Sequence, residues 1–396
     1  MRPAGGTWQA PVDLSAAGQH ASSPQVAVDA HGNTVAVWYR FTGPDTGPST
    51  GSIVQGAVRP AGGTWQAPVD LAVGGNVFAA QLAVGAQGDA VAVWNRASGA
   101  RSFVVQGAVR AANGAWQEPI TLSAAGGNPG NPQVAVDAHG NAIAVWSRSS
   151  DSSSSVVQSA VRPARQNWQA PVELAVDAAS ADVAISPHGN AFAVWHDSRG
   201  IAQSAMRSAD GSWQAPVDLS APGQDALETQ VAADAHGNAV AIWQRSNGTN
   251  QIVQSATYRA PGPQVTRLRL SPSTLRASRW GPTVQAATAP TATQVSYELN
   301  AAASVRFTLQ RYRGGRRVGG RCVKATTSNR RQKICTRLVR VRGGFTRSRA
   351  AGTDRFTFTG RVAGRPLRPG RYGLVATPTD NGRTGTPTRA RLRIVR

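Results

Sequence analysis

Tryptophan recurs at regular intervals in the first two thirds of the chain, and this periodicity narrows the possible folds more than any other feature. The residues form two interleaved series: Trp8, Trp65, Trp116, Trp168 and Trp213, and Trp38, Trp94, Trp146, Trp195 and Trp243. The steps within each series are 45 to 57 residues long. A period of this length is typical of arrays in which each repeat is one supersecondary unit that packs against its neighbours.

Each period contains three segments that predict four short β-strands. The first segment, exemplified by residues 133–146 (QVAVDAHGNAIAVW), consists of two apolar runs joined by a turn. The second is exemplified by residues 156–162 (VVQSAVR), and the third by residues 62–71 (GGTWQAPVDL). Glycine in the turn, as at Gly32 or Gly140, adopts the positive φ that a tight hairpin requires. Runs such as AIAVW are apolar at every position, which predicts strands covered on both faces, as in stacked sheets.

The number of repeats predicts an all-β fold in which residues 1–262 form a five-bladed β-propeller of four-stranded blades. The chain begins on a fourth-strand segment at Trp8, and the last repeat ends on a third-strand segment near Gln254. We therefore expect Trp8–Leu14 to pair with Ile252–Thr257. This pairing closes the last blade and leaves no exposed edge strand.

One link between a third and a fourth strand carries a recognisable motif. It reads SADGSW and contains Ser208, Asp210, Gly211 and Trp213. The segment resembles a shortened Asp box, the turn motif of sialidase-like β-propellers, whereas the links RPAGGTW and AANGAW lack its Ser and Asp. In architecture the array is also similar to five-bladed lectins. The resemblances imply glycan binding, with glycoside hydrolysis as an alternative.

Catalysis of the sialidase type requires three arginines for a substrate carboxylate, a tyrosine beside a glutamate, and an aspartate as acid and base. The array is poor in two of these types, with two tyrosines and three glutamates: Tyr39, Tyr258, Glu118, Glu173 and Glu228. Asp225 and Glu228, on the loop before the first strand of the fifth repeat, are the only unrepeated acidic pair on the face where propellers usually bind. No two carboxylates can be assigned to opposite sides of a glycosidic bond. We therefore assign no catalytic residue and no cofactor.

Histidine and aspartate recur in the hairpin turns. The histidines share one repeat position, and the aspartates open the same turns: His31, His139, His188 and His236, and Asp29, Asp137 and Asp234. Equivalent turns of different blades lie too far apart to converge on one metal ion, so we predict no metal site. We expect the histidines to be exposed and the aspartates to accept hydrogen bonds from turn amides.

A Trp-x-Arg motif ends most of the second strands. Its arginines are Arg40, Arg96, Arg148 and Arg245, with Arg199 at a longer distance from its tryptophan in the fourth repeat. Residues two apart share a strand face, so each arginine lies on the same side of its strand as the tryptophan. In a propeller the ends of the second strands all lie on one face, so the arginines are predicted to form a broken ring there. Such a ring suits carboxylates, sulfates or phosphates. In the alternative interpretation each arginine packs over its tryptophan or pairs with a neighbouring acid and serves the fold.

Charge divides the chain at Ala260–Pro263, a stiff segment that is typical of an interdomain linker. Residues 1–262 carry 13 Lys and Arg against 17 Asp and Glu, whereas residues 263–396 carry 29 against 3. A dense positive field of this kind attracts polyanions. The imbalance predicts a basic binding domain attached to a nearly neutral body.

Residues 263–396 contain about seven alternating segments, such as SVRFTLQRY and RARLRIV, at the spacing of a β-sandwich. Leu367, Pro369, Gly370 and Tyr372 spell L-x-P-G-x-Y, which resembles the tyrosine corner of immunoglobulin-like domains, where the phenol bonds to nearby backbone. The segment is also similar to C-terminal domains of exported proteins of high-GC actinobacteria. That resemblance implies an immunoglobulin-like fold and an extracellular or cell-surface location.

The chain has two cysteines, Cys322 and Cys335, on either side of a turn-like stretch. On a hairpin they face each other, and a disulfide closing such a loop contributes about 3 kcal/mol and indicates an oxidising compartment. The alternative is a reduced pair in a cytosolic protein. A zinc site is disfavoured because residues 263–396 contain no histidine and two thiolates do not complete a tetrahedron.

Basic side chains cluster in the second region. The candidate polyanion contacts are Arg311, Arg313, Arg316, Arg317, Arg330, Arg331 and Lys333. In the alternative interpretation, these residues form an ordinary solvent-exposed face, and GC-rich codons account for Arg in place of Lys. This interpretation does not explain why acidic residues are scarce in the same region. We expect salt-sensitive binding to anionic polysaccharide or cell-wall polymer, without sequence-specific reading of nucleic acid.

Residues 2–14 recur letter for letter at 59–71, where Val58 stands in place of Met1. This repetition favours the hypothesis that translation starts inside a repeat and that an upstream stretch holds a signal peptide and further blades. Together these observations predict an exported bacterial protein, a monomer without a transmembrane segment that acts as a binding or display scaffold. A sialidase-like hydrolase and a purely structural surface protein are the alternatives.

Overall fold

The structure is a computed structural model that describes residues 8–18, 20–42, 51–72, 75–99, 102–124, 127–149, 155–187, 189–209, 211–285, 292–380 and 382–396. Within these ranges the regular structure consists of β-strands without an α-helix, as predicted. The same ranges include no helix long and apolar enough to cross a membrane. The chain divides into two compact units, Met1–Ala260 (unit 1) and Pro261–Arg396 (unit 2).

The described residues of unit 1 form five antiparallel sheets, numbered here in chain order. Sheet 1 contains β1 (Ala21–Val28), β2 (Thr34–Thr42), β3 (Gly51–Arg59) and β4 (Val69–Ala72). Sheet 2 contains β5 (Val77–Val84), β6 (Ala90–Gly99), β7 (Ser102–Arg110) and β8 (Ile120–Thr121). Sheet 3 contains β9 (Asn128–Pro129), β10 (Gln133–Val136), β11 (Ala142–Ser149), β12 (Ser155–Arg162) and β13 (Val172–Val176).

Sheet 4 contains β14 (Ala178–Ile185), β15 (Ala191–Asp197), β16 (Ala202–Arg207) and β17 (Val217–Asp218). Sheet 5 contains β18 (Leu227–Ala233), β19 (Ala239–Ser246) and β20 (Gln251–Tyr258). Strands that follow each other in the chain are neighbours in every sheet, except that β9 pairs with β11. Each sequence repeat therefore becomes one sheet.

A tight turn joins the first two long strands of each sheet. In sheet 1, the backbone N–H of Asp29 donates to the carbonyl of Asn33 at 2.9 Å, and Gly32 has a φ of 90°. The turn glycine also allows close packing between sheets, because a Cβ at Gly88 of sheet 2 would lie 2.9 Å from Oδ2 of Asp29. Glycine at this position thus serves both the turn and the contact with the preceding sheet.

The apolar cores of unit 1 lie between consecutive sheets. In sheet 2, one face carries Val91, Val93 and Val105, and the opposite face carries Ala92 and Trp94. We call these faces, and the equivalent faces of the other sheets, the Val face and the Trp face. The Trp face of each of sheets 2 to 5 packs against the Val face of the preceding sheet. The inner sheets are therefore covered on both faces, as the fully apolar runs predict.

The closure predicted at the end of the array is not formed. In the part of the chain that the structure describes, sheet 5 has three strands, and Trp8–Leu14 lies outside every strand. Leu14 packs instead beside Ala36 and Trp38, on the Trp face of sheet 1. Leu71 of β4 makes the equivalent contact with the Trp face of sheet 2, so Leu14 packs as a fourth-strand residue does, although its segment does not pair with β20.

Unit 2 contains fourteen strands in its described residues. They are β21 (Val265–Ser271), β22 (Thr274–Arg276), β23 (Val284–Gln285), β24 (Thr293–Leu299), β25 (Ala303–Val318), β26 (Arg321–Val323), β27 (Ile334–Arg340), β28 (Phe345–Arg349), β29 (Gly352–Phe358), β30 (Arg361–Val362), β31 (Arg365–Pro366), β32 (Gly370–Asp380), β33 (Arg383–Thr384) and β34 (Thr388–Val395).

These strands form two main sheets around one core. One sheet has the order β21-β24-β29-β23, and the other has the order β22-β34-β32-β25, with β26, β27 and β28 paired to β25. Strand β22 runs parallel to β34, whereas the other pairs are antiparallel. Aromatic side chains of both sheets meet in the core, where the ring centroids of Phe307 and Phe356 lie 5.0 Å apart.

The tyrosine corner is present, because the hydroxyl of Tyr372 donates to the carbonyl of Arg368 at 2.7 Å. Cys322 and Cys335 form a disulfide with Cα atoms 5.9 Å apart. The predicted hairpin between the two cysteines is not formed, because each cysteine pairs with β25, where Cys335 lies opposite Gly315. A Cβ at Gly315 would lie 2.9 Å from Sγ of Cys322, so the disulfide requires a residue without a side chain there.

Candidate functional site

The turn aspartates bind the turn backbone as predicted. In sheet 3, Oδ1 of Asp137 accepts from the backbone N–H of His139 at 2.8 Å and of Asn141 at 2.9 Å. Its Oδ2 accepts from the side-chain amide of Asn141 at 2.7 Å. Asp29 and Asp234 accept the same three hydrogen bonds in sheets 1 and 5. These carboxylates therefore hold the turns.

The hydrogen bonds also stabilise the charged form of these acids. Burial alone raises the pKa of Asp29, but the hydrogen bonds from Asn33 and the turn backbone outweigh it, so the pKa lies below its ordinary value. The side-chain hydrogen bond from Asn238 is the main cause that lowers the pKa of Asp234 to about 2. Asp29 and Asp234 are thus structural anions at neutral pH.

The described turn histidines each face the carboxylate of their own turn. Nδ1 of His31 and of His139 lies 3.9 Å from the aspartate, and the two side chains are 60% and 69% exposed, as expected of turn residues. Nδ1 of His236 lies 3.5 Å from Asp234. His188 and Asp210, the acidic residue of the Asp-box-like segment, lie outside the described residues.

A hydrogen-bonded chain that the sequence analysis missed links three strands of a sheet. Nε1–H of Trp38 donates to Oε1 of Gln55 at 3.2 Å, and Nε2–H of Gln55 donates to Oδ1 of Asp70 at 2.7 Å. The same chain in sheet 4 joins Trp195, Gln203 and Asp218. The glutamine that recurs in every third strand was the available signal. It ties the buried indole to an acid on the fourth strand.

The five predicted ring arginines occupy equivalent ends of their sheets, and each makes contacts within unit 1. Nη2 of Arg40 lies 3.9 Å from Oδ2 of Asp70, and that of Arg199 lies 2.6 Å from Oδ2 of Asp197. Arg148 lies across Gly127 and Arg96 beside Gly75, while Arg245 donates to the carbonyl of Ser246 at 3.4 Å. These contacts favour a role in the fold. Arg199 is 62% exposed, whereas the other four arginines are partly buried.

Two acidic features lie near sheets 4 and 5. Asp225 and Glu228, the unrepeated pair, both have positive φ, and Oε2 of Glu228 accepts from Gln244. Asp182, which the sequence analysis did not single out, accepts from the backbone N–H of Val231 at 2.8 Å. Burial raises the pKa of Asp182. Asp182 stands where the first long strand of each other sheet has a glutamine, and its hydrogen bond links sheet 4 to sheet 5.

The predicted basic cluster of unit 2 is divided between structural and exposed positions. Arg311 donates to the carbonyl of Pro369 at 2.6 Å and lies 5.5 Å from the ring centroid of Tyr372, so it supports the tyrosine corner. Arg316 donates to the carbonyl of Gln332. The other members are exposed: Arg313, Arg317, Arg330, Arg331 and Lys333.

A larger basic surface covers the outer face of the sheet formed by β25, β27, β32 and β34. We call it the arginine face, and it consists of Arg306, Arg340, Arg371, Arg389, Arg391 and Arg393, all exposed. Arg371 lies directly opposite Arg393. Arg389 crosses Gly373 and donates to Oε1 of Gln310 at 2.6 Å. The signal for these residues was the alternation in RARLRIV, which places every second residue outward.

The acids of unit 2 do not lie among these arginines. Asp354 binds Arg347 and Arg349 at 3.0 and 3.2 Å, and Glu298 binds Arg267 at 2.7 Å. Both acids belong to the opposite sheet. The third, Asp380, ends β32, opposite Arg383. The arginine face therefore carries positive charge that these carboxylates do not neutralise.

No protein family profile and no curated protein matches the chain. Among solved structures it is similar to a Hadza microbial sialidase at 12% identity and a TM-score of 0.42, over 60% of this chain and 56% of that one. The chain thus spans just over half of the sialidase. It is also similar to the BP39L lectin of Burkholderia pseudomallei at 14% identity and a TM-score of 0.41, over 92% and 98% of the chains. The six-bladed Aleuria aurantia lectin shares 11% identity at a TM-score of 0.36, over 59% and 77%.

Proposed function

We propose that the protein is an exported binding or display scaffold that attaches to anionic polymers of the cell envelope through unit 2. The observation that carries the proposal is the arginine face. Like charges directly opposite each other on neighbouring strands, such as Arg371 and Arg393, destabilise a sheet. A bound polyanion removes this repulsion, and guanidinium groups bind carboxylates, sulfates and phosphates through paired hydrogen bonds.

The geometry of the face suits a polymer better than a single small anion. Neighbouring strands lie about 4.8 Å apart, and outward residues on one strand recur about every 6.7 Å. Arg389, Arg391 and Arg393 therefore form a row along β34, with further arginines on β32, β25 and β27. A chain of repeated anionic groups contacts several guanidinium groups at once and gains affinity from each additional contact.

Unit 2 is proposed to be an immunoglobulin-like domain. Support comes from its two sheets around one core, from β22 running parallel to β34, and from the hydroxyl of Tyr372 bonded to Arg368. The disulfide supports export, because stable disulfides belong to oxidising compartments. The exposed predicted contacts on and beyond β25, among them Arg313 and Arg330, lie outside the arginine face, and we expect them to contribute less to binding.

Unit 1 is proposed to be a propeller-type array of five blades that presents a glycan- or anion-binding edge. Support comes from the five consecutive sheets and from the arginines at one end of each. Nε of Arg40, Arg148 and Arg245 is buried without a hydrogen-bond partner among the described residues. Such arginines favour an anionic group nearby, because an unpaired buried N–H is costly.

Binding of the full chain to immobilised heparin, a sulfated polysaccharide, tests the proposal. Replacing Arg389, Arg391 and Arg393 with glutamine should lower the salt concentration needed for elution, since binding through fewer arginines releases fewer counterions from the polymer. Replacing Arg330, Arg331 and Lys333 with glutamine removes the same charge from the loop before β27 and is the matched control. We expect a clearly smaller shift for the control. Equal shifts, or no retention of the wild type, would contradict a specific role of the arginine face.

A further inference from the structure

The two terminal sheets of unit 1 each leave an apolar face uncovered. On the Val face of sheet 5, Val240, Ile242 and Val253 are 43%, 38% and 71% exposed. The residues at the same positions of sheet 1 lie under sheet 2 and are 2%, 0% and 0% exposed: Val35, Val37 and Val54. On the Trp face of sheet 1, Val26 and Val28 are 67% and 47% exposed. Each end therefore presents one half of the junction that repeats inside the unit.

The fourth-strand pairing is incomplete in the same place. In sheets 1 to 4 the residue after the third-strand glutamine pairs with the first residue of the V-D-L type segment: Gly56 with Val69, Gly107 with Ile120, Ser159 with Val172, and Ser204 with Val217. The equivalent residue of β20 is Ser255, and no strand of the described residues pairs with β20 at this position. Val12 begins an identical segment, VDL, beside sheet 1. The repeated register thus assigns Val12 to a position opposite Ser255.

The two terminal sheets of unit 1 also carry charges of opposite sign at equivalent positions. Asp29 and Arg110 line one cleft between sheets 1 and 2, and Asp137 and Arg207 line the equivalent cleft between sheets 3 and 4. Each cleft joins the turn acid of one sheet to the arginine that ends the third strand of the next. At one end of the array, the turn acid of sheet 5 is Asp234, whose carboxylate is exposed. At the other end, the arginine that ends the third strand of sheet 1 is Arg59.

We propose that the occupant of these faces is a second copy of this chain, bound head to tail. The Val face of sheet 5 in one copy packs on the Trp face of sheet 1 in the next, and Trp8–Leu14 of that next copy adds the fourth strand to β20. The two faces do not cover each other within one chain, since both are exposed. The contact continues the junction already formed between the inner sheets, and it replaces the expected monomer. Such a heterologous interface generates rings or open filaments.

Sedimentation velocity of the full chain across a concentration series tests the association. Val26→Asp and Val253→Asp each place a charge in the proposed contact and should weaken association roughly 100-fold. Val176→Asp is the matched control, because Val176 is 63% exposed on β13 and lies outside the contact. A mixture of Val26→Asp with Val253→Asp should form dimers, although each variant alone is monomeric, because each retains the face that the other lacks.

Cross-linking distinguishes a second copy from closure within one chain. The Val12→Cys/Ser255→Cys variant should form covalent oligomers on oxidation, visible on a non-reducing gel. Overturning results are a wild type that is monomeric at every concentration, a control that dissociates like the face variants, or a cross-link confined to one chain. The last result would instead support the closed propeller.

Discussion

The two units bury their apolar residues in different ways and use their charges differently. Unit 1 spreads its core over repeated junctions between sheets, whereas unit 2 gathers both of its sheets around one aromatic cluster. In unit 1 the described turn acids and several arginines are engaged in turns and pairs, as at Asp137 and Arg199. In unit 2 three acids face 29 basic residues. Many charged side chains of unit 1 thus stabilise its fold, whereas most of the basic side chains of unit 2 have no acidic partner among the described residues and remain available for a ligand.

The largest effect is expected from the single core of unit 2. Phe307 is fully buried and contacts Tyr297, Phe345 and Phe356. Phe307→Ala should destabilise unit 2 by about 3 to 5 kcal/mol, because the site cannot collapse without moving both sheets. Differential scanning calorimetry of the full chain should show the transition of unit 2 at a lower temperature and that of unit 1 unchanged. A shift of both transitions to lower temperature would contradict the view that the two units have separate cores.

Reduction of the disulfide is expected to have the next largest effect. Cys322→Ser/Cys335→Ser should cost about 3 kcal/mol, because the unfolded chain regains the entropy that the closed loop had removed. Chemical denaturation with and without reductant measures it. Wild type and variant should unfold alike in reductant, and a remaining difference would indicate lost packing instead.

A smaller and more local effect is expected at a turn of unit 1. Asp137→Ala removes three hydrogen bonds to a buried carboxylate and should cost about 1 to 3 kcal/mol. Asp137→Asn retains acceptor capacity and is the milder control. Hydrogen exchange should rise at the turn after β10 and at the adjacent edge of sheet 4. Exchange that rises equally in all five sheets would mean that the repeats unfold as one unit.

Loss of the tyrosine corner should cost less, about 1 kcal/mol. Tyr372→Phe keeps the ring and its contact with Arg311 but removes the hydrogen bond to Arg368. Burial raises the pKa of Tyr372, so the hydroxyl stays protonated over the accessible pH range. Thermal denaturation measures the effect, and an unchanged midpoint would show that the corner adds nothing to stability.

Acid should weaken unit 1 through its turns. The pKa of Asp234 falls from an ordinary value of 3.8 to about 2 in the folded chain. Its contribution is therefore complete above about pH 4 and is lost as the pH falls towards 2. Thermal midpoints of Asp234→Asn should approach those of the wild type over this window. A constant difference between the two from pH 6 to pH 2 would contradict the role of this carboxylate.

Much of this organisation could be predicted from the sequence, and the failures have physical causes. Apolar runs such as AVAVW indicated strands covered on both faces, and the turn glycines indicated the hairpins, because both signals are local. Closure by Trp8–Leu14 is not formed among the described residues, because pairing between strands distant in the chain leaves no local signal in the sequence. The cysteines were expected on one hairpin, yet each of them pairs with β25.

The candidate site shows the same limit. Clusters close in sequence, such as Arg330 and Arg331, were found, whereas the arginine face is assembled from four strands. The row Arg389, Arg391 and Arg393 becomes a surface only when β34 pairs with β32. Conversely, Arg311 seemed available in the sequence but supports Tyr372 in the fold.

Hydrogen exchange of the full chain with and without a sulfated polysaccharide tests the central claim most directly. The account predicts new protection along Gly370–Asp380 and Thr388–Val395, the strands that carry most of the arginine face, and its loss at high salt. Protection confined to unit 1, or to the loop before β27, would contradict it.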